Sequence, residues 1–172
     1  MHKNLVAAFN APLKHLKANK DWQVAKVNNF EGGWFNKEKT INVSEALCII
    51  RCLEQHWGIY ITPIFPEYEW DNLGEAWSIS HKCAAINVSA KHIYPSTIIH
   101  EISHGIVECA KQFHYNGNKI KDPGHGPLWT GVYAYNIMKI LKKDITGPMG
   151  LYKIKQVPQD HIIEFREYFK KA

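Results

Sequence analysis

The sequence predicts an α+β fold: a small sheet packed against one buried helix, with further helices flanking both. Three observations carry this. Residues 96–113 place apolar side chains at three-to-four spacing, the mark of an amphipathic helix. Two short strand-like runs, 76–80 and 84–89, precede it on either side of a polar His81-Lys82 turn. Further helical patterns occupy 46–57, 127–142 and 158–170. A length of 172 residues suits one domain, 1–172, able to bury a core without staples. Hydrophobic content of 45% with 22% charged residues is ordinary for a globular chain. No run approaches 18 apolar residues, so no membrane span is expected. The apolar run after Met1 is too short for a secretory signal, which points to the cytoplasm.

Taken in order, residues 3–18 read as one helix, or two short ones interrupted near Pro12. Residues 21–40 are polar and contain Gly32-Gly33, which reads as loop or a short strand. Asn42-Val43-Ser44-Glu45 offers a capping box for a helix that Gly58 closes. Residues 60–65 read as a strand in which Pro63 demands an edge position or an early end. Tyr94-Pro95-Ser96-Thr97 starts the next helix, with Ser96 as candidate N-cap. A polar loop, 114–124, follows it. Pro127 then opens another helix, and Pro158 with Asp160 opens the last. There is no internal repeat.

The helix over 96–113 contains His100-Glu101-Ile102-Ser103-His104, an H-E-x-x-H pattern. Residues four apart project from one helix face, so His100 and His104 can grip one Zn²⁺ while Glu101 lies beside them. Ile102 and Ile106 point the other way, toward a core. The pattern alone carries a false-positive risk, since a histidine pair on a helix also serves packing or surface. Downstream, Asp122-Pro123-Gly124-His125-Gly126-Pro127-Leu128-Trp129 sets a histidine between two glycines just before a helix. A catalytic zinc takes three protein ligands and keeps one position open, and His125 is the candidate third. One Zn²⁺ per chain is the expected cofactor.

These residues resemble the SprT-like zinc metallopeptidases, which include the Spartan DNA–protein-crosslink proteases. The resemblance rests on His100-Glu101-Ile102-Ser103-His104, a small residue at Gly105, and His125-Gly126-Pro127-Leu128-Trp129. Upstream, Gly74-Glu75-Ala76-Trp77 and 83–89 are similar to the paired strands before that family's zinc helix, and the likeness runs from about 43 to 143. It implies a zincin-like fold with a small, mostly antiparallel sheet of three to four strands on the H-E-x-x-H helix. It also implies peptide-bond hydrolysis, with zinc lowering the pKa of its water to near 7 and Glu101 moving the proton. Substrate backbone would add to the strand bearing Gly74, Ala76 and Trp77. Trp129 is a candidate wall of the cleft or a core aromatic, and Tyr133 a candidate oxyanion stabiliser or a packed helix tyrosine. Other zincin patterns fit less well: position 110 is Ala110, not histidine, and nothing around Glu164 resembles a second zinc helix.

The family's four-cysteine zinc ribbon has no counterpart here: cysteines stand at 48, 52, 83 and 109 without a C-x-x-C pair, and read as buried free thiols. Net charge is +5, with lysines gathered toward both ends and none between Arg51 and Lys82, where five acids lie. Basic ends could follow a DNA backbone, or only keep the chain soluble. The acidic middle, near the expected substrate strand, suggests a preference for basic peptide segments. His114 is either a further polar group near the site or simply exposed; His2, His15, His56, His81, His92 and His161 read as structural or surface. Two other readings stay open: a non-catalytic zinc-stabilised adaptor acting on DNA or a protein, and a DNA-binding protein with incidental histidines. An adaptor has no need of Glu101. The size suits a bacterial, phage or mobile-element product.

Overall fold

The computed structural model describes residues 23–67, 74–112, 114–115 and 118–172. The helical stretch expected at 3–18 lies outside them. The architecture is α+β: among the described residues there are six helices, a three-stranded sheet and a second pair of two-residue strands.

The first described element corrects an expectation. Val24–Trp34 is a helix, α1, not loop or strand. Val27 and Phe30, three apart, are both buried, and Trp34 stacks on Phe30 at 5.8 Å. Two glycines cost a helix roughly 1 kcal/mol each, whereas burying a Val and a Phe returns about 1.5–3 kcal/mol apiece. Burial wins.

Helix α2, Val43–Trp57, starts on the expected box: Asn42 Oδ1 accepts from Glu45 N–H and Glu45 Oε2 from Asn42 N–H, both at 2.9 Å. It ends at Gly58, whose φ of 64° needs glycine's freedom. Its buried stripe is Ala46, Ile50, Leu53, Glu54 and Trp57. Buried Glu54 ties the helix to the next strand by accepting Ile61 N–H at 2.7 Å. That stripe leaves Cys48 and Cys52 on the opposite face, exposed, so the expectation of buried thiols is corrected there; Cys83 is half-buried, Cys109 is buried, and all four are free.

Strands β1 (Tyr60–Ile64), β2 (Gly74–Ser80) and β3 (Cys83–Val88) form a sheet of order β1-β3-β2. Pro63 sits on the edge strand β1, as its missing donor requires. The sheet is mixed, not mostly antiparallel. β2 and β3 are joined by the tight turn and pair antiparallel, but β3 lies beside β1 and runs parallel to it, Tyr60 opposite Cys83.

Helix α3, Pro95–Ala110, packs across the inner face of this sheet with Ile98, Ile99, Ile102 and Ile106 fully buried. The approach is close: a Cβ on Gly105 would stand 2.9 Å from Ala84 Cβ. Its N-cap is Tyr94 and not Ser96. Ser96 lies in the first turn, and its N–H and hydroxyl both donate to the Glu38 carboxylate.

The segment expected as loop contains strands β4 (His114–Tyr115) and β5 (Asn118–Lys119). Helix α4 is Pro127–Leu141; α5, Thr146–Leu151, had no expectation; and α6, Gln159–Lys171, buries Ile162, Phe165 and Phe169. Among the described residues no helix is long and apolar enough to cross a membrane.

A polar relay runs through the core between helices. Trp57 Nε1–H donates to Asn136 Oδ1 at 2.8 Å, Asn136 Nδ2–H to Ser103 Oγ at 3.0 Å, and Ser103 O–H to Ile99 O at 2.7 Å. Asn136→Leu keeps the branched outline but strands the indole N–H, a penalty of about 1–3 kcal/mol. The urea midpoint should fall with an unchanged m-value. An unmoved midpoint would mean that the relay contributes nothing.

Candidate metal centre

Helix α3 presents His100 and His104 from one face, one turn apart, with their Nε2 atoms 3.1 Å from each other. The third histidine comes from the turn before α4. That helix lacks a side chain at its N-cap, Gly126, and the buried Asp122 carboxylate replaces it, accepting Leu128 N–H at 3.3 Å and Trp129 N–H at 3.1 Å. Gly126 is pressed onto that carboxylate: a Cβ there would collide with Asp122 Oδ1. Buried Gln23 fixes the main chain from the other side, donating to His125 O at 2.6 Å and accepting from Lys155 N–H at 2.6 Å. The result brings His125 Nε2 to 3.2 Å from that of His100 and 3.3 Å from that of His104.

This near-equilateral triangle fits one metal ion. Nitrogens at about 2.0–2.1 Å from a tetrahedral zinc stand about 3.3 Å apart. The tautomers point the same way. His100 Nδ1 lies 2.9 Å from Glu31 Oε1, a carboxylate that can only accept, so Nδ1 carries the proton and Nε2 offers its lone pair. The trio His100, His104 and His125 is thus a set of residues able to hold a metal. Burial, with the His100 and His125 rings beside it, holds His104 well below the usual histidine range, so its ring stays neutral.

Trp129 forms the floor. It is fully buried, stacks on His104 at 4.8 Å, and meets His125 and His100 at 4.4 and 4.7 Å. It is a core aromatic packed against the three histidine rings. Tyr133 stacks beneath it at 5.0 Å and is fully buried. Its hydroxyl faces the Glu31 carboxylate, behind His100, without a hydrogen bond of normal geometry. That placement matches the packed-tyrosine reading and gives the oxyanion role no support.

Glu101 is only 6% exposed and lies against the start of β2; a Cβ on Gly74 would come within 2.6 Å of its Oε1. Burial pushes its carboxyl up to about 7, with His100 opposing and Glu31 and Glu75 adding to the rise. Ala76 is half-buried and Trp77 is 39% exposed on the same edge strand. A cleft of about 590 Å³ opens beside these groups, lined by Gly74, His100, Glu101 and His125 on one side and Asn28, Glu31 and Glu38 on the other. Burial would raise Glu31, but His100, Tyr133 and His125 outweigh it and hold its carboxyl below the usual range.

Other expectations find no place here. Glu164 is exposed on α6, His81 and His92 are exposed, and His56 bonds to Tyr135 and Arg166. Of the acidic middle, Glu75 is exposed on β2 but Glu54 is structural. Lys139, Lys142, Lys143, Lys170 and Lys171 are exposed at the ends of α4 and α6. Sequence reasoning missed Gln23, Glu31 and Glu38, because their segment was read as loop; the spacing of Val27 and Phe30 was the available signal. No family model matches the chain, and neither does any curated protein or solved structure.

Proposed function

We propose that this chain is a zinc-dependent endopeptidase of the SprT-like kind. The observation that carries the reading is the triangle of three histidine Nε2 atoms, 3.1–3.3 Å apart, with the buried Glu101 carboxylate beside it. Zinc, when bound there, would act as a Lewis acid and acidify a coordinated water. His100, His104 and His125 hold and orient. Glu101 accepts a proton from the attacking water on a carboxylate oxygen and delivers it to the leaving peptide nitrogen. One C–O bond forms, one C–N bond breaks, and the proton goes with the amine.

Edge strand β2 runs directly from Glu101, so an extended peptide that pairs with it carries its backbone past the acid–base group. Main-chain pairing of this type reads little side-chain sequence and suits unfolded or flexible protein segments. Proteins bound to DNA are among the proposed substrates, with the exposed lysines of α4 and α6 as the DNA-facing charge.

The test is zinc content and proteolysis on the same preparation. About one zinc per chain is expected, with cleavage of an unfolded protein substrate that a chelator stops and added zinc restores. DNA should accelerate cleavage of a DNA-bound substrate, and salt should remove that gain. A folded chain that refuses zinc would sink the reading. A chain that holds zinc but cleaves nothing, with or without DNA, would favour the zinc-stabilised adaptor.

A further inference from the structure

The segment from 23 to 38 touches the histidines of the metal centre twice and the start of their helix once. Gln23 holds the main-chain carbonyl of His125, Glu31 holds the His100 ring, and Glu38 accepts from Ser96 at the start of the metal helix. Only the second reaches a ligand's imidazole. The Glu31 and His100 side chains are 21% and 13% exposed, so the bond between them is largely shielded from water.

A histidine that binds metal through Nε2 needs its Nδ1–H directed. A carboxylate does this best, fixing tautomer and ring angle and raising the basicity of the other nitrogen. Glu31 is placed for this role and not for ligation, because Oε1 meets the ring at Nδ1, not Nε2. Helix α1 sets the carboxylate there by burying Val27 and Phe30, four residues and one residue before Glu31 on the helix. Whatever loosens α1 moves Glu31 away from the ring.

We propose that Glu31 is the positioning residue of the metal centre, and that through it metal affinity and the docking of α1 are linked. The inference rests on the metal reading above. Linkage makes the effect reciprocal: a docked α1 tightens metal binding, and bound metal tightens the docking of α1 by the same factor.

The experiment compares wild type, Glu31→Gln and Glu31→Ala. Zinc affinity is measured by chelator competition, Co²⁺ binding by its visible spectrum, and α1 amide exchange with and without zinc. Both variants should bind zinc roughly 10–100-fold more weakly, as expected for loss of such a partner. Their Co²⁺ spectra should shift, and zinc should protect α1 amides in wild type but much less in the variants. A purely structural Glu31 would lower the unfolding midpoint of the metal-free variants while the folded proteins bound zinc as wild type does. Affinity within twofold of wild type with an unchanged Co²⁺ spectrum overturns the proposal. Wild type binding neither metal would instead overturn the metal reading on which it rests.

Discussion

Glu101→Gln should retain a full complement of zinc and lose at least about 10²-fold in the rate of peptide cleavage, the lower end of what a positioned acid–base group contributes. The substitution is nearly isosteric, so the contact with Gly74 and the packing of α3 on the sheet persist. What disappears is a group that can take a proton and give it back. The amide also removes a buried carboxylate lying close to Glu31 and Glu75, which raise it by repulsion. Folding stability should therefore not fall. Equal metal content with equal cleavage in variant and wild type would remove Glu101 from the mechanism. Lost metal together with lost cleavage would make it a structural support of the centre.

His125→Ala should abolish stoichiometric zinc while leaving the fold in place. The two remaining ligands, His100 and His104, share one helix and supply only two of the three positions a catalytic zinc takes from protein. The weakening should exceed the 10–100-fold typical of losing an outer-shell partner. The start of α4 does not depend on the imidazole, since Asp122 caps it and Gln23 grips the main-chain carbonyl of residue 125. Helical circular dichroism and the urea midpoint of the metal-free protein should stay near wild type. Undiminished zinc in His125→Ala would assign the third ligand elsewhere. Unfolding would be separated from ligand loss by His125→Gln, which keeps a polar side chain of similar reach.

Much of the centre is legible in the sequence. His100, Glu101 and His104 follow from one helical period, and the apolar positions of the same helix say which face turns to the core. His125 was legible from its flanking glycines, and the structure gives one of them a reason: Gly126 has no room for a Cβ against Asp122. The capping box at Asn42 and Glu45 and the stop at Gly58 were equally local, and both are present. Helix α1 was not legible, because two glycines and a polar surround outweighed a short apolar spacing. Glu31 was lost with it.

Taken by itself, the sequence determined which residues can bind metal, which helix carries two of them, where α2 starts and stops, and that the fold is α+β. Tertiary structure decided the rest. It alone set β1 parallel to β3, closed three imidazoles to 3.1–3.3 Å, and brought Glu31 to His100 across 69 positions and Gln23 to His125 across 102. The physical reason is range. Periodicity and caps encode relations within a turn or two of chain, which local sterics and hydrogen bonds enforce. Contacts between distant segments depend on how the buried faces of separate elements pack together, and a local pattern names those faces without saying which of them will meet.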